Sequence, residues 1–282
     1  MFLRRLWLND FRNYTEAEVT FPVGLTAVIG RNGQGKSNLI EAVGYLATLD
    51  SFRGSPTEAL VRSGAPRAFV RAEVEREGRE LLIEAEIAPG GRGRVQVNRQ
   101  RLARSRDLLG ALRVTVFAPD DLALIKDGPA ERRRYLDDLL VALSPKNDAL
   151  RSDVDRVLKQ RNTLLKQAGG RLTEELAFTL DVWDEKLVES GTQLAKARAY
   201  LVAQLSPLVA QAYDDLAERP ATVVLNYEAP WMADGLAAAL TRSRTDDVRR
   251  GVSLVGPHRD ELGLAISALP ARTHASPGEQ RT

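Results

Sequence analysis

The sequence contains no cysteine and only two histidines, His258 and His274. The absence of cysteine excludes disulfides, thiol catalysis and cysteine-ligated metals, and it is typical of a cytosolic protein, so we expect a cytoplasmic location. Two histidines argue against a histidine-built metal site. No apolar run approaches the roughly 18 residues that a membrane span requires. Residues 1–11 alternate like a strand and lack the long apolar core of a signal peptide.

A strong net charge is also missing. Forty lysines and arginines face 38 acids, which gives a formal net charge of +2, so the global charge says little about partners. With 44% hydrophobic and 28% charged residues in 282 positions, the composition is that of a globular protein with one large core or two smaller ones. Evidence on function therefore has to come from local motifs.

What the sequence does contain is a phosphate-binding motif. Residues 30–37, GRNGQGKS, fit G-x-x-x-x-G-K-[ST], the P-loop. The glycines let the backbone turn its N–H groups toward phosphate oxygens, and a helix that begins at Lys36 adds the positive end of its dipole. Lys36 would reach the β- and γ-phosphates of ATP, and the Ser37 hydroxyl would be a ligand of Mg²⁺. The predicted nucleotide-binding residues are Gly30, Arg31, Asn32, Gly33, Gln34, Gly35, Lys36, Ser37 and Asn38.

The residues on both sides give this motif its expected context. Leu25, Ala27, Val28 and Ile29 predict a buried strand before the loop, and apolar residues at helical spacing follow Ser37. A chance match of the motif is expected in roughly one chain in a hundred of this length. A strand before the loop and a helix after it favour a genuine nucleotide site over a chance match.

Alternating polarity predicts further strands on either side of the P-loop. They lie at residues 2–8 and 16–21 before it, and at residues 68–75, 80–87, 94–98 and 111–117 after it. Glycine-rich turns and short connections between them favour an antiparallel layer.

The pattern becomes helical at Pro129, which suits the first turn of a helix at residues 129–141. Apolar residues at helical spacing then extend to Leu165, Gly169 and Gly170 interrupt the pattern, and a second series follows. The second series is Leu176, Leu180, Trp183, Leu187, Leu194, Leu201 and Leu205. Its steps of three, four or seven predict two antiparallel helices, which form either an ordinary helical subdomain or a projecting coiled-coil arm.

Strand patterns return after this helical pair. They lie at residues 222–228 and 262–267, with a helix predicted around residues 232–240 between them. The sequence therefore predicts a helical pair inserted into a single α/β domain.

Positive charge is concentrated between Gly91 and Arg113. Against a single acid, Asp107, this segment holds seven arginines: Arg92, Arg94, Arg99, Arg101, Arg104, Arg106 and Arg113. This density suits the neutralisation of nucleic-acid phosphates. The candidate DNA contacts are Arg94, Arg99, Arg101 and Arg104. Strand arginines also pair with neighbouring glutamates such as Glu84 and Glu86, and that alternative stays open.

Two other polar groups have competing interpretations. Arg132, Arg133 and Arg134 lie near a helix start, where such a run is more often a solvated face than a DNA contact. A histidine in a turn is usually structural. His258, however, lies in the segment Gly-Pro-His-Arg-Asp (GPHRD), where we favour a role at a site.

The segment SPGEQR (276–281) is close to S-x-G-[EQ]-Q-R, the signature of ABC-type ATPases. Ser276 and the Gly278 amide can donate hydrogen bonds to a γ-phosphate, with a helix N-terminus behind them. In ABC ATPases that phosphate lies on the partner subunit, so two P-loops and two signatures share ATP. The predicted contacts to ATP from the opposite subunit are Ser276, Gly278, Glu279 and Gln280.

Six segments carry a family resemblance: NDFRNY (9–14), GRNGQGKSNLIEA (30–42), SFRG (51–54), FAPDDLALIKDGPAERRRYLD (117–137), GPHRDEL (256–262) and SPGEQRT (276–282). They run in family order across nearly the whole chain and resemble the RecF family, bacterial recombinational-repair ATPases of the ABC/SMC class. The resemblance implies an α/β fold: a P-loop ABC/SMC-like ATPase head with an antiparallel β layer and an inserted α-helical lobe. It divides the chain into head residues 1–128, lobe residues 129–220 and returning head residues 221–282.

The same resemblance implies cofactors and partners. ATP and Mg²⁺ are the expected cofactors, and the expected role is recombinational DNA repair, replication-gap processing and the SOS response. Members of the family form ATP-dependent homodimers and clamp DNA that is double-stranded, gapped or a junction of single and double strands. They help RecO and RecR place RecA on DNA, so RecR, and RecO as a further partner, are expected here. A weak DNA-stimulated ATPase activity is implied, and no membrane association.

One departure from the family pattern concerns hydrolysis. Family members continue beyond the signature with a Walker B strand, which carries an Asp that binds Mg²⁺ and the Glu that polarises water. This sequence ends at Thr282. Residues 114–121 look superficially similar, but Ala118 and Pro119 interrupt them before Asp120, and the resemblance assigns them to another segment. We therefore expect a chain shortened just after the signature, with the catalytic residue unknown and enzyme activity undecided.

Other functions agree with parts of the sequence. The nucleotide-binding subunit of an ABC transporter would use the same two motifs, but the heptad-like pair and the arginine-rich segment fit it poorly. The signature argues against a P-loop kinase. A further alternative is an incomplete ATPase head, which would bind nucleotide poorly and undergo no nucleotide-dependent switch. DNA stimulation of nucleotide-dependent dimerisation separates these alternatives from a DNA-binding ATPase.

Overall fold

Contacts along the chain define two units in the computed structural model, which describes residues 1–91, 93–118, 123–217 and 221–275. They are Met1–Ala118, here called the N-terminal unit, and Pro119–Thr282, the C-terminal unit. The helical segment and the residues that follow it therefore belong to one unit. The division into a head at 1–128, a lobe at 129–220 and a returning head at 221–282 stays a prediction.

A six-stranded antiparallel sheet organises the N-terminal unit. Its strands are β1 (Phe2–Phe11), β2 (Tyr14–Thr20), β3 (Ala68–Arg76), β4 (Arg79–Ile87), β5 (Arg94–Val97) and β6 (Gln100–Arg101). Their order is β2-β1-β3-β4-β5-β6, and every neighbouring pair is antiparallel. The antiparallel layer predicted from the alternating pattern is confirmed.

One face of this sheet is apolar because side chains alternate along each strand. In β3, for example, Val70 and Val74 are fully buried, whereas Phe69 is 43% exposed. Helix α1 (Lys36–Thr48) belongs to the same hydrophobic cluster, and a short helix, α2 (Thr57–Leu60), follows it. The apolar cluster thus fixes α1, and with it the loop before α1, against the sheet.

Two predicted strands do not form within the described residues. Residues 25–29 pair with no strand, and Leu25 and Ile29 are 97% and 92% exposed. Residues 111–117 are likewise unpaired, and Phe117 is 84% exposed. The prediction is wrong at both places because apolar, β-prone residues form a strand only where a neighbouring strand takes their backbone hydrogen bonds. Strand β1 already pairs on both sides, with β2 and β3.

Helices dominate the C-terminal unit. They are α3 (Ala123–Lys126), α4 (Pro129–Leu143), α5 (Lys146–Gln167), α6 (Glu174–Leu216), α7 (Leu236–Arg250) and α8 (Ala271–His274). Pro129 occupies the first turn of α4, where its missing N–H costs nothing, as predicted. Gly169 and Gly170 follow α5 with φ angles of 56° and 84°, which confirms the predicted break.

The long helix α6 carries the predicted heptad-like series. Its buried members are Leu176, Leu180, Leu187, Leu194 and Leu201. They belong to hydrophobic clusters that also include residues of α4, α5 and α7. Of the two alternatives for the helical pair, an ordinary helical subdomain describes this packing.

A small antiparallel sheet completes the C-terminal unit. It contains β7 (Val223–Glu228), β8 (Glu261–Ile266) and β9 (Leu269–Pro270), in that order, and the two longer strands confirm the prediction. The helix predicted around residues 232–240 begins later and runs longer, because Gly235, with a φ of 88°, separates a short 3-10 helix from α7. Among the helices described, none is long and apolar enough to cross a lipid bilayer.

Candidate nucleotide site

The loop before α1 has the backbone of an anion-binding turn. Gly33 and Gly35 have φ angles of 80° and 102°, in the left-handed region that favours glycine. Helix α1 begins at Lys36, directly after Gly35. The predicted glycine turn and helix start are confirmed, so the loop lies at the positive end of a helix dipole.

A close contact explains why glycine is needed at the end of this loop. A Cβ atom on Gly35 would lie 2.6 Å from Oδ1 of Asn13. One on Gly30 would lie 2.6 Å from Oε1 of Gln34, an oxygen that also accepts a hydrogen bond from the Arg31 N–H at 2.9 Å. The Gln34 side chain is flexible and can move away. At Gly35 the positive φ and the close neighbour act together, so this position requires glycine.

The ammonium group of Lys36 lies over the loop. Its Nζ donates to the carbonyl oxygens of Gly30 at 2.7 Å and of Arg31 at 2.8 Å. Within the described ranges, the backbone N–H groups of residues 35–37 donate no hydrogen bond. A cation and three free N–H donors at one tight turn suit an oligophosphate.

Ser37 follows in the first turn of α1 with its side chain exposed. A hydroxyl at this place suits a Mg²⁺ ion that is carried by ATP. The donor set of the loop therefore fits both the phosphates of a nucleotide and the magnesium ion bound to them.

Asn13 in the β1–β2 turn and Tyr14 at the start of β2 support this loop. Sequence reasoning missed this support. Asn13 Nδ2 donates to the carbonyl oxygen of Gln34 at 3.2 Å, and Asn13 Oδ1 accepts from Asn38 Nδ2 at 2.8 Å. The Tyr14 hydroxyl donates to the carbonyl oxygen of Gly35 at 3.2 Å. Asn13 and Tyr14 end the NDFRNY segment, which had carried only a family resemblance. Their side chains form hydrogen bonds with the end of the P-loop and the first turn of α1.

A buried carboxylate ties the SFRG segment to the same place. Glu41 on α1 is fully buried and accepts from Arg12 Nε at 2.8 Å, Arg12 Nη2 at 2.5 Å and Ser51 Oγ at 2.5 Å. Arg53 Nη1 lies 3.6 Å from Glu41 Oε2 and donates to Asn38 Oδ1 at 3.0 Å. Burial acts to raise the pKa of Glu41, but the hydrogen bonds from Arg12 and Ser51 outweigh it and lower that pKa. Glu41 therefore stays ionised and joins three motif segments.

The predicted DNA-binding arginines divide into two pairs. Arg94 Nε lies 3.8 Å from Glu86 Oε2, and Arg104 Nη2 lies 3.4 Å from an acid three residues later. Arg99 and Arg101 are exposed, and neither forms an ion pair with an acid in the part of the chain that the structure describes. Pairing with a nearby acid thus describes Arg94 and Arg104, and the DNA contact predicted for the four arginines stays a prediction.

Arg99 lies at the tip of the hairpin between β5 and β6. With Asn98 it forms a two-residue turn, in which the two φ angles are 51° for Asn98 and 64° for Arg99. The second position of such a turn favours glycine, so an arginine there is held in a strained backbone. Asn98 Oδ1 accepts from the Leu82 N–H at 2.9 Å, which anchors the tip on β4.

The arginine run of α4 lies against the GPHRD segment inside the C-terminal unit. Arg132 is only 5% exposed and donates from Nε to Glu261 at 2.7 Å, so the prediction of a solvated face is wrong for this residue. Arg133 Nη1 donates to the carbonyl oxygen of Asp260 at 2.8 Å. Arg134 alone is exposed. The turn of the helix points the first of the three arginines inward, where it needs a carboxylate partner.

His258 is half-buried beside the Ser253 carbonyl. The 2.9 Å contact from Nε2 to that oxygen places the proton of the neutral ring on Nε2. Nδ1 is buried and has no hydrogen-bond partner among the described residues. The pKa of His258 is about 4, below the usual 6.5, because burial disfavours the charged ring and Arg259 and Arg133 repel it, against the opposing Ser253 carbonyl. The ring is therefore neutral at physiological pH.

The other predicted site residues lie outside the described residues. They are Ser276, Gly278, Glu279 and Gln280 of the signature. The roles predicted for them stay predictions.

Comparison with known proteins defines the class first. Residues 2–244 match the family described as "RecF/RecN/SMC N terminal domain", so the chain has the P-loop ATPase head of that class. The head of an SMC protein bound to the C-winged helix domain of ScpA shares the fold, with a TM-score of 0.52 and 20% identity over 99% of this chain and 73% of that one.

More similar relatives identify the family. A DNA replication and repair protein RecF of Streptomyces avermitilis is 49% identical, over 99% of this chain and 78% of the relative. A protein of the same description from Kineococcus radiotolerans is 44% identical, over 99% and 77%. The chain belongs to the RecF family, as its motifs predicted. A solved structure of the recombination mediator protein RecF with ATP, in the RecFOR pathway, matches with a TM-score of 0.91 and 28% identity over 99% of this chain and 77% of that one.

Proposed function

We propose that this chain is an ATP-dependent DNA-binding protein of recombinational DNA repair and replication-gap processing. The observation that carries the proposal is the P-loop, in which a glycine turn, Lys36 and three free N–H groups surround a place that fits an oligophosphate. Its relatives are described as DNA replication and repair proteins, and the similar solved structure is of RecF with ATP. These comparisons do not favour an ABC transporter subunit.

In this proposal, ATP is held by residues 30–38 and Ser37 is a ligand of its Mg²⁺. ATP binding closes two copies into a homodimer, in which Ser276, Gly278, Glu279 and Gln280 reach the ATP of the opposite copy. The dimer grips double-stranded, gapped or junction DNA in the cytoplasm and works with RecR and RecO to place RecA. The proposal assigns no residue to hydrolysis.

We assign the DNA contact to Arg99 and Arg101 in preference to Arg94 and Arg104. An arginine that already lies near a carboxylate offers less uncompensated charge to a phosphate than one exposed without such a partner. The proposed contact is to the sugar–phosphate backbone, which receives most protein–DNA hydrogen bonds. Binding by such contacts weakens with salt, with a slope of about 0.9 per phosphate neutralised.

Fluorescence anisotropy of a labelled gapped duplex, titrated with and without ATP at several salt concentrations, tests this proposal. The paired change Arg99→Gln and Arg101→Gln should weaken binding and flatten the salt slope by about two units. The matched pair Arg94→Gln and Arg104→Gln removes the same formal charge from ion-paired positions and should change the slope by less than half as much. Equal slopes for the parent and the first pair would refute the assignment. A parent with no ATP-dependent DNA binding would refute the function.

A further inference from the structure

The turn between β1 and β2 has an unusual backbone. Asp10 and Arg12 have φ angles of 49° and 54°, in the left-handed region that residues other than glycine rarely adopt. Neighbouring residues brace the turn: Arg62 donates from its N–H to the Asp10 carbonyl at 2.7 Å and from Nε to Asp10 Oδ1 at 2.6 Å. The Arg12 N–H donates to the Leu60 carbonyl at 2.8 Å. These hydrogen bonds keep Asp10 and Arg12 in their strained backbone conformations, and this fixes the position of the next residue, Asn13.

Asn13 is the side chain through which this turn contacts the middle of the P-loop. It donates to the carbonyl oxygen of Gln34 at 3.2 Å and accepts from the side chain of Asn38 at 2.8 Å. Between those two partners its Oδ1 and Nδ2 lie 2.6 and 2.8 Å from the place where Gly35 would carry a Cβ atom. A single side-chain amide therefore bridges the last part of the loop and the first turn of α1.

The bridge continues into the buried end of the site. Asn38 Oδ1 accepts from Arg53 Nη1 at 3.0 Å, and the same Arg53 nitrogen lies 3.6 Å from the fully buried Glu41. Polar contacts therefore run without a gap from the Gln34 carbonyl, through two asparagines and an arginine, to a carboxylate in the core. A series of polar contacts that is anchored on a buried carboxylate can hold the Gln34 carbonyl in a fixed position.

We propose that Asn13 is a positioning residue of the nucleotide site. It holds the backbone of Gln34 and Gly35 against the start of α1, in the arrangement whose N–H groups receive the polyphosphate of a nucleoside triphosphate. This inference rests on the proposed nucleotide function. Because Asn13 acts through the backbone of the loop, its loss weakens binding of the phosphates and leaves recognition of the base unchanged.

Titration of a fluorescent ATP analogue, and its competition by inorganic tripolyphosphate, tests the proposal. Asn13→Ala should weaken both ligands by the same factor, about tenfold for the loss of one oriented hydrogen-bonding group. Asn13→Ser keeps a polar side chain too short to bridge the two partners, so it should show the same loss. Asn9→Ala is the matched control, because Asn9 is exposed on β1, the strand that leads into this turn, and its side chain bonds to no other described residue. It should bind like the parent.

A double-mutant cycle separates this role from a general weakening of the fold. Asn13→Ala and Asn38→Ala together should lose less affinity than the product of the two single losses, because both remove the same bridge. Parental affinity for tripolyphosphate in Asn13→Ala would overturn the inference. So would a loss confined to ATP, which would mean a direct contact with the nucleoside. A parent that binds neither ligand would refute the proposed function itself, and the inference with it.

Discussion

Lowering the pH from 7 to 5 should destabilise the chain through His258. The pKa of this residue is about 4 in the folded chain, against 6.5 for an ordinary histidine, because burial disfavours the charged ring. As the pH falls, the unfolded chain therefore binds the proton first. The contribution of His258 to stability is complete above pH 6.5 and is lost progressively between pH 6.5 and pH 4.

The magnitude follows from these two pKa values. Linkage gives a loss of about 2 kcal/mol between pH 7 and pH 5, as an upper value because the ring is partly exposed to solvent. The structural origin is Nδ1, which becomes a second donor when the ring is charged. It is buried without a partner among the described residues, and Arg259 and Arg133 lie nearby.

Urea unfolding at both pH values, for the parent, His258→Gln and His274→Gln, measures this effect. Glutamine can still donate to the Ser253 carbonyl but does not titrate, so the parent should lose about 2 kcal/mol more than His258→Gln. His274 is exposed, and its variant should follow the parent. With only two histidines in the chain, NMR can also follow each ring separately. Equal pH dependence in the parent and His258→Gln would refute the reasoning, as would a His258 ring that titrates near pH 6.5.

Two other substitutions test the packing and the loop. Arg198→Ala removes a buried guanidinium that donates twice to Asp137 at 2.7 Å and should cost about 3–5 kcal/mol, whereas Arg156→Ala breaks an exposed pair and should cost about 0.5 kcal/mol or less. Similar costs in urea denaturation would contradict this account of the buried pair. Gly35→Ala should weaken binding of an ATP analogue, whereas Gly24→Ala, at a similar φ of 105° but with open space around it, should not. Equal affinities for the two glycine variants would show that the contact at Gly35 is unimportant.

Much of the fold could be predicted from the sequence because its signals are local. Alternation along β3 and β4 reports which face of the sheet is buried, and the motif at Gly33 and Gly35 reports a turn that only glycine adopts easily. Pairing between distant segments has no such signal. Residues 25–29 are apolar and β-prone, but whether they join a sheet depends on a partner strand elsewhere, and the prediction failed there.

The support of the candidate site was missed for a similar reason. Glu41 lies among Leu39, Ala42 and Leu46 on the buried side of α1. A buried acid needs a cationic or hydrogen-bonding partner, but the sequence does not identify that partner. Its partner Arg12 comes from a segment 29 residues earlier. Only the folded chain brings the two together.

The central claim is that the P-loop holds ATP, and equilibrium binding of a fluorescent ATP analogue to Lys36→Ala tests it most directly. One charge-assisted contact to phosphate is worth about 1.5–3 kcal/mol, so the variant should bind about 10- to 150-fold more weakly than the parent. Lys36→Arg should bind poorly too, because it keeps the charge but misplaces it. Lys159→Ala, which removes an exposed lysine from α5, should bind like the parent. Parental affinity in Lys36→Ala would contradict the account.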